Sequence, residues 1–241
     1  SAASDVYKRQ SYSYIGQIYF AQNDYSKALD YFKKSLNLDL SFFGENHPEV
    51  ASGYYNIGYV YFAQGDYSKA LEYFEEVLKI RLSVYGENHS RVASVYNDIG
   101  EIYSVQGDDF KALDYFKKSL KIVLSVYGEN HSQVSSIYDH IGEVYFAQKD
   151  YSKALYYFEE SLKIRLSLFG ENHPEVALSY YSIGSLYIIQ GDKSKALNYY
   201  EKSLKIRLSV YGENHPLTKE IMDLINVAAN SKVLQSPETT K

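Results

Sequence analysis

The 241-residue chain has no cysteine and no tryptophan, one methionine and four prolines. Without cysteine there is no disulfide framework, no thiolate nucleophile and no thiolate metal site. No apolar run approaches the roughly 18 residues that span a bilayer, and the first residues do not read as a signal peptide. The expected location is therefore cytoplasmic. The net charge is −5, which opposes a phosphate-backbone ligand. A Gly-rich phosphate loop, a Gly-x-Ser-x-Gly elbow and a zinc-protease helix are all lacking. No enzyme activity and no cofactor are expected.

What the chain does have is a period. Gly-Glu-Asn-His begins at Gly44, Gly86, Gly128, Gly170 and Gly212, always 42 residues apart. Ile-Gly keeps that interval at Gly16, Gly58, Gly100, Gly142 and Gly184, and Ala-Leu keeps it at Ala28, Ala70, Ala112, Ala154 and Ala196. A fixed period of this length means stacked units, each burying its apolar face against its neighbours.

Within one period, Val50, Tyr54, Ile57, Gly58 and Tyr61 recur at spacings of three and four, the apolar stripe of a helix that Pro48 can start. Gly65-Asp66 breaks it, with Asp66 placed to cap the next helix. Ala70, Leu71, Phe74, Leu78 and Leu82 form a second stripe, and Gly86 supplies a left-handed stop. The unit is a helical hairpin with no room for a strand. Gly58 facing Ala70 suggests close approach of the two backbones. The matching tyrosines at Tyr12, Tyr54, Tyr96, Tyr138 and Tyr180, and at Tyr19, Tyr61, Tyr103, Tyr145 and Tyr187, are expected to be core.

Tyr54, Ile57-Gly58, Tyr61, Ala70 and Phe74 match the tetratricopeptide signature. The 42-residue unit led by Gly-x-x-His-Pro-x-Val resembles the long repeats of kinesin light chains. The resemblance implies an all-α, right-handed superhelical solenoid of tetratricopeptide-type hairpins, whose first helices line a concave protein-binding groove. On this reading residues 1–10 are a non-native-looking leader, because Asp5 to Gln10 resembles a translated linker and Lys8 falls where Val50 sits. Residues 11–215 hold five repeats, 216–230 form a capping helix, and 231–241 are a disordered tail.

The five turn histidines, His47, His89, His131, His173 and His215, are too widely spaced along a solenoid to share a metal, so no metal site is expected. Asn88 and Asn130 match a glycosylation acceptor only where Ser90 and Ser132 replace the repeat's proline. Acid–base pairs at i,i+4, such as Glu75–Lys79 and Glu159–Lys163, read as a solvated face.

Positions that the repeat does not dictate lie opposite the core stripe of each first helix. Along the array they are Tyr14 and Gln17; Tyr55, Asn56 and Tyr59; Asn97, Asp98 and Glu101; Asp139, His140 and Glu143; and Tyr181, Ser182 and Ser185. These are the candidate groove residues. Asn56 and Asn97 would hold ligand main chain, the tyrosines would pack its side chains, and the carboxylates would select a neutral, basic or amphipathic segment. Chaperone-tail clamps of the same family grip an acidic terminus with Lys, Asn and Arg, whereas the matching positions here include Ser94 with Asp98 and Ser136 with His140. The expected function is a noncatalytic scaffold or adaptor that binds a protein or peptide, with no nucleic acid and no membrane. The alternative is an architectural spacer or self-association module.

Overall fold

The computed structural model describes the backbone of residues 2–230 and the side chains of residues 7–230. The expected tail at 231–241 lies outside the described residues. Among the described residues eleven helices follow in chain order: α1 Ala2–Ala21, α2 Tyr25–Phe43, α3 Pro48–Ala63, α4 Tyr67–Tyr85, α5 Ser90–Val105, α6 Asp109–Tyr127, α7 Ser132–Ala147, α8 Tyr151–Phe169, α9 Pro174–Ile189, α10 Lys193–Tyr211 and α11 Pro216–Asn230. Among the described residues there is no strand. The chain divides into two compact units, one ending at Gly128 and the other starting at Glu129.

In the first unit the hairpins α1–α2, α3–α4 and α5–α6 stack through α2 on α3 and α4 on α5. In the second, α7–α8 and α9–α10 stack through α8 on α9, and α11 packs on α10. The helix ends are set by local chemistry. Asp24, Asp66, Asp108, Asp150 and Asp192 each accept the backbone N–H three residues on, for example that of Lys69 at 3.3 Å. The opposite end closes on a positive-φ glycine such as Gly86 (φ 79°), whose N–H reaches the Leu82 carbonyl at 3.0 Å.

The turn histidines have a structural task. Nδ1 of His47, His89, His131, His173 and His215 accepts the N–H of Glu49, Arg91, Gln133, Glu175 and Leu217, at 3.1–3.3 Å. Each is thus an N-cap of a first helix. The rings of His47, His89, His173 and His215 also stack on Phe43, Tyr85, Phe169 and Tyr211 at 4.2–4.6 Å.

At Gly58 the two backbones approach as expected, since an added Cβ would lie 3.5 Å from the Ala70 carbonyl oxygen and 3.1 Å from Tyr73 Cβ; in other copies the space is taken by a ring. A Cβ added at Gly100 would sit 2.7 Å from the Phe116 ring, and Gly142 and Gly184 leave the same space for Phe158 and Tyr200. The glycine admits an aromatic ring of the second helix. The serines Ser119 and Ser203 then tie the helices together, donating to the carbonyls of Ala93 and Ala177 at 2.8 and 2.7 Å.

The periodic tyrosines are half-buried, with Tyr187 alone fully so. Each pair sandwiches a tyrosine of the second helix: Tyr54 and Tyr61 flank Tyr73 at 6.0 and 5.5 Å, and Tyr96 and Tyr103 flank Tyr115 at 5.9 and 5.6 Å. Lys69 and Lys111 cover the open faces of Tyr61 and Tyr103 at 5.1 and 4.7 Å. The true core is smaller and aliphatic–phenyl, with Val50, Ile57, Val60, Phe74, Val95 and Ile99 in the first unit and Val176, Ile183 and Leu186 in the second. Of the expected i,i+4 pairs, Asp30–Lys34 and Asp114–Lys118 form at 2.7 Å, but Lys79 and Lys163 turn one residue nearer, to Glu76 and Glu160.

Candidate functional site

In the first unit the positions opposite the core stripe gather on α1, α3 and α5. Tyr14 and Tyr59 are exposed, Asn56 is half-buried and Gln17 is exposed. A cavity of about 290 Å³ opens between α1, α2 and α3, and Tyr14, Gln17 and Asn56 line it. Arg9, Asp39 and Glu49 line it too. Arg9 Nη1 contacts Asp39 at 2.9 Å and Glu49 at 2.6 Å, and the Arg9 carbonyl accepts the Ser35 hydroxyl at 3.1 Å. Helix α1 therefore runs through the segment expected to be a leader, and Arg9 takes part in its packing.

Tyr55 is more than a groove aromatic. Its ring meets Phe74 edge-on at 5.4 Å, stacks on Tyr59 at 6.3 Å and lies under the Arg81 guanidinium at 5.4 Å. Burial, reinforced by the charge of Asp98, holds its hydroxyl above the usual phenol range. Asn97 donates one N–H to Glu101 at 2.6 Å, which orients its amide within α5. Asp98 is deeply placed, and its Oδ2 accepts no hydrogen bond. Burial, then the nearby Glu101 charge, pushes its carboxyl up to about 7. Burial also raises Glu101.

In the second unit, the carboxylate expected to face a ligand is instead tied inward. Asp139 binds Arg165 at 2.7 Å, and Arg165 also reaches Glu175 at 3.1 Å and the Ser179 hydroxyl at 2.8 Å. Burial and the Arg165 charge lower His140 to about 4, which keeps it neutral. Tyr181 is held by α11: its hydroxyl donates to Glu220 at 3.0 Å, and Arg207 lies 5.0 Å above its ring. Ser185 meets the Tyr181 carbonyl at 3.0 Å and the Tyr200 hydroxyl at 3.1 Å. Ser182 is half-buried and Glu143 exposed.

Arg81, Arg165 and Arg207 occupy one repeat position on the second helices, where Asp39 and Val123 stand in the other copies. Periodicity along the first helices does not reveal them. The signal was present in the irregularity of that column. With Arg9 and Arg91 the first unit sets three arginines beside Asp39, Glu49, Asp98 and Glu101, and the second sets two beside Asp139, Glu175 and Glu220.

Stacked helical hairpins with glycine-admitted aromatic packing define a helical-repeat interaction protein. The model of the tetratricopeptide repeat matches residues 7–83, 49–122, 91–167 and 133–209, and the chain belongs to that family. Its fold is one of protein–protein interaction, and its partners are proteins. Similar solved structures include BtubC (BKLC) from P. vanneervenii, at 22% identity and TM-score 0.74, covering 89% of this chain and 92% of that one. A putative kinesin light chain of Podosopora anserina with nearly identical TPR-like repeats matches at 16% identity and TM-score 0.70, over 84% and 96%. A Rap protein complexed with competence and sporulation factor matches at 18% and 0.68, over 92% and 65%. These likenesses share the fold, including the kinesin-light-chain type of repeat. No curated protein matches the sequence. Among the described residues no helix is long and apolar enough to cross a membrane.

Proposed function

We propose that the chain is a noncatalytic adaptor that binds a peptide or helix of a partner protein against the first-helix face of its repeats. The observation that carries this is the cavity of about 290 Å³ at α1–α3, edged by Tyr14, Gln17 and Asn56, polar and aromatic groups that the repeat's packing does not require. Tyr14 is 66% exposed and Tyr59 44%, so both offer rigid contact area. The Rap structure was solved with a bound factor, which supports the same use of a related fold. In each unit carboxylates outnumber arginines on this face, which favours basic or amphipathic segments over acidic ones.

Fluorescence anisotropy with matched basic and acidic amphipathic peptides tests this reading. The basic peptide is expected to bind more tightly, and its affinity to fall as salt rises, because exposed charges are screened over about 8–10 Å at moderate ionic strength. Preference for the acidic peptide would reverse the assigned polarity.

A further inference from the structure

Three buried or nearly buried carboxylates lie on the groove side, and two of them have an arginine. Asp39 is held by Arg9 at 2.9 Å and Asp139 by Arg165 at 2.7 Å. Among the described residues Asp98 has no ion-pair partner; the Tyr55 hydroxyl hydrogen-bonds to its carboxyl, but the buried Oδ2 accepts no hydrogen bond. The Arg81 charge acts on it, but Arg81 Nη1 donates to the Arg91 carbonyl at 2.8 Å and the Ser94 hydroxyl at 3.0 Å, while its guanidinium covers Tyr55. Leaving a carboxylate buried without a cation is costly, and such a group either stays protonated or receives a charge from outside.

The surroundings suit a charge from outside. Glu101 lies one helical turn along α5, oriented by the 2.6 Å hydrogen bond from Asn97. Tyr59, exposed and stacked on Tyr55, offers an aromatic surface for an aliphatic stem. We propose that Asp98 and Glu101 form a subsite for one cationic side chain, a guanidinium or an ammonium, of a peptide bound to the first unit. This rests on the peptide-binding reading and names the chemistry recognised at one position of that surface. The incoming cation supplies what Arg165 supplies to Asp139. The ionisable groups facing Asp98 in this unit are Glu101 from α5, Tyr55 from α3 and Arg81 from α4. Because its carboxyl titrates at about 7, a bound cation holds the ionised form and expels a proton. Affinity then rises between about pH 6 and about pH 8.

The test is a random peptide library selected against the whole chain, with the recovered peptides measured by anisotropy. Binders are expected to share an Arg or Lys, and replacing it by citrulline or norleucine should weaken binding roughly tenfold or more. Asp98→Asn and Glu101→Gln should each reproduce that loss, and Asp98→Asn should also abolish the rise with pH. The melting temperature of each variant confirms that it is folded. Peptides that bind equally well to wild type and to both variants would overturn the subsite while leaving the peptide-binding reading intact. Recovery of no peptide would overturn both. A melting shift with calcium or magnesium chloride that Asp98→Asn removes would assign the pair to a metal ion and overturn the proposal.

Discussion

At the residue scale, burial sets the behaviour of the groove's ionisable groups, and it acts in opposite directions in the two units. Asp98 is raised from the usual 3.8 to about 7. The unfolded chain ionises first, so stability is highest below the unfolded value and falls as pH rises from about 4 to about 7. His140 is lowered from 6.5 to about 4. There the unfolded chain takes the proton first, so stability is full above 6.5 and falls as pH drops toward 4. The two shifts correspond to on the order of 4 and 3 kcal/mol respectively. Asp98→Asn should therefore raise the melting temperature near pH 8 and leave it unchanged near pH 4, and His140→Gln should blunt the loss of stability in mild acid. Identical pH profiles for wild type and variants would show that neither group is perturbed. The tyrosines separate by the same logic. Tyr14→Ala removes an exposed ring and should cost within about 0.5 kcal/mol. Tyr55→Ala removes the partner of Phe74, Tyr59 and Arg81, a loss on the order of 3 kcal/mol. Chemical denaturation of the two variants checks the contrast.

At the element scale, the hairpin turn is the least uniform part of an otherwise regular unit. Gly65, Gly107 and Gly191 hold φ of 77–81°, but the same place carries Asn23 at 59° and Lys149 at 63°. A lysine Cβ in the left-handed region costs about 1–2 kcal/mol. Lys149→Gly should thus stabilise the α7–α8 hairpin by about 1 kcal/mol net of the added chain entropy, read as a higher denaturation midpoint. An unchanged or lower midpoint would show that the Lys149 side chain compensates for the strain. The helix limits themselves were legible in sequence. Pro48, Asp66, Tyr85 and Gly86 mark the boundaries seen for α3 and α4, because caps and stops are local interactions of neighbouring residues. The partners of the charged side chains were not legible, since Lys79 chooses between Glu75 and Glu76 by rotamer and the choice depends on what packs nearby.

At the scale of the whole molecule, a stacked array needs its last apolar face covered. We propose this role for helix α11 in the second unit, which buries Thr218, Ile221 and Ala228 and fastens through Glu220 to Tyr181 and through the Leu217 carbonyl to Arg207 at 2.6 Å. Truncation before Pro216 should lower the melting temperature and promote aggregation, followed by light scattering. A truncated chain as soluble and stable as the full one would remove the capping role.

The sequence by itself determined the repeat, the hairpin and the family, because the 42-residue register repeats the same local signals in copy after copy. It also marked the first-helix positions free of packing duty, since 3.6-residue periodicity separates two faces of a helix. Tertiary structure alone decided what those positions contact. Asp139 is neutralised by Arg165, Tyr181 is clasped by α11, and Asn97 is turned to Glu101, whereas Asp98 keeps an unpaired oxygen. The physical reason is that these partners come from the second helix, the cap or a particular rotamer. Such contacts depend on how helices pack against one another, and periodicity along one helix does not encode them.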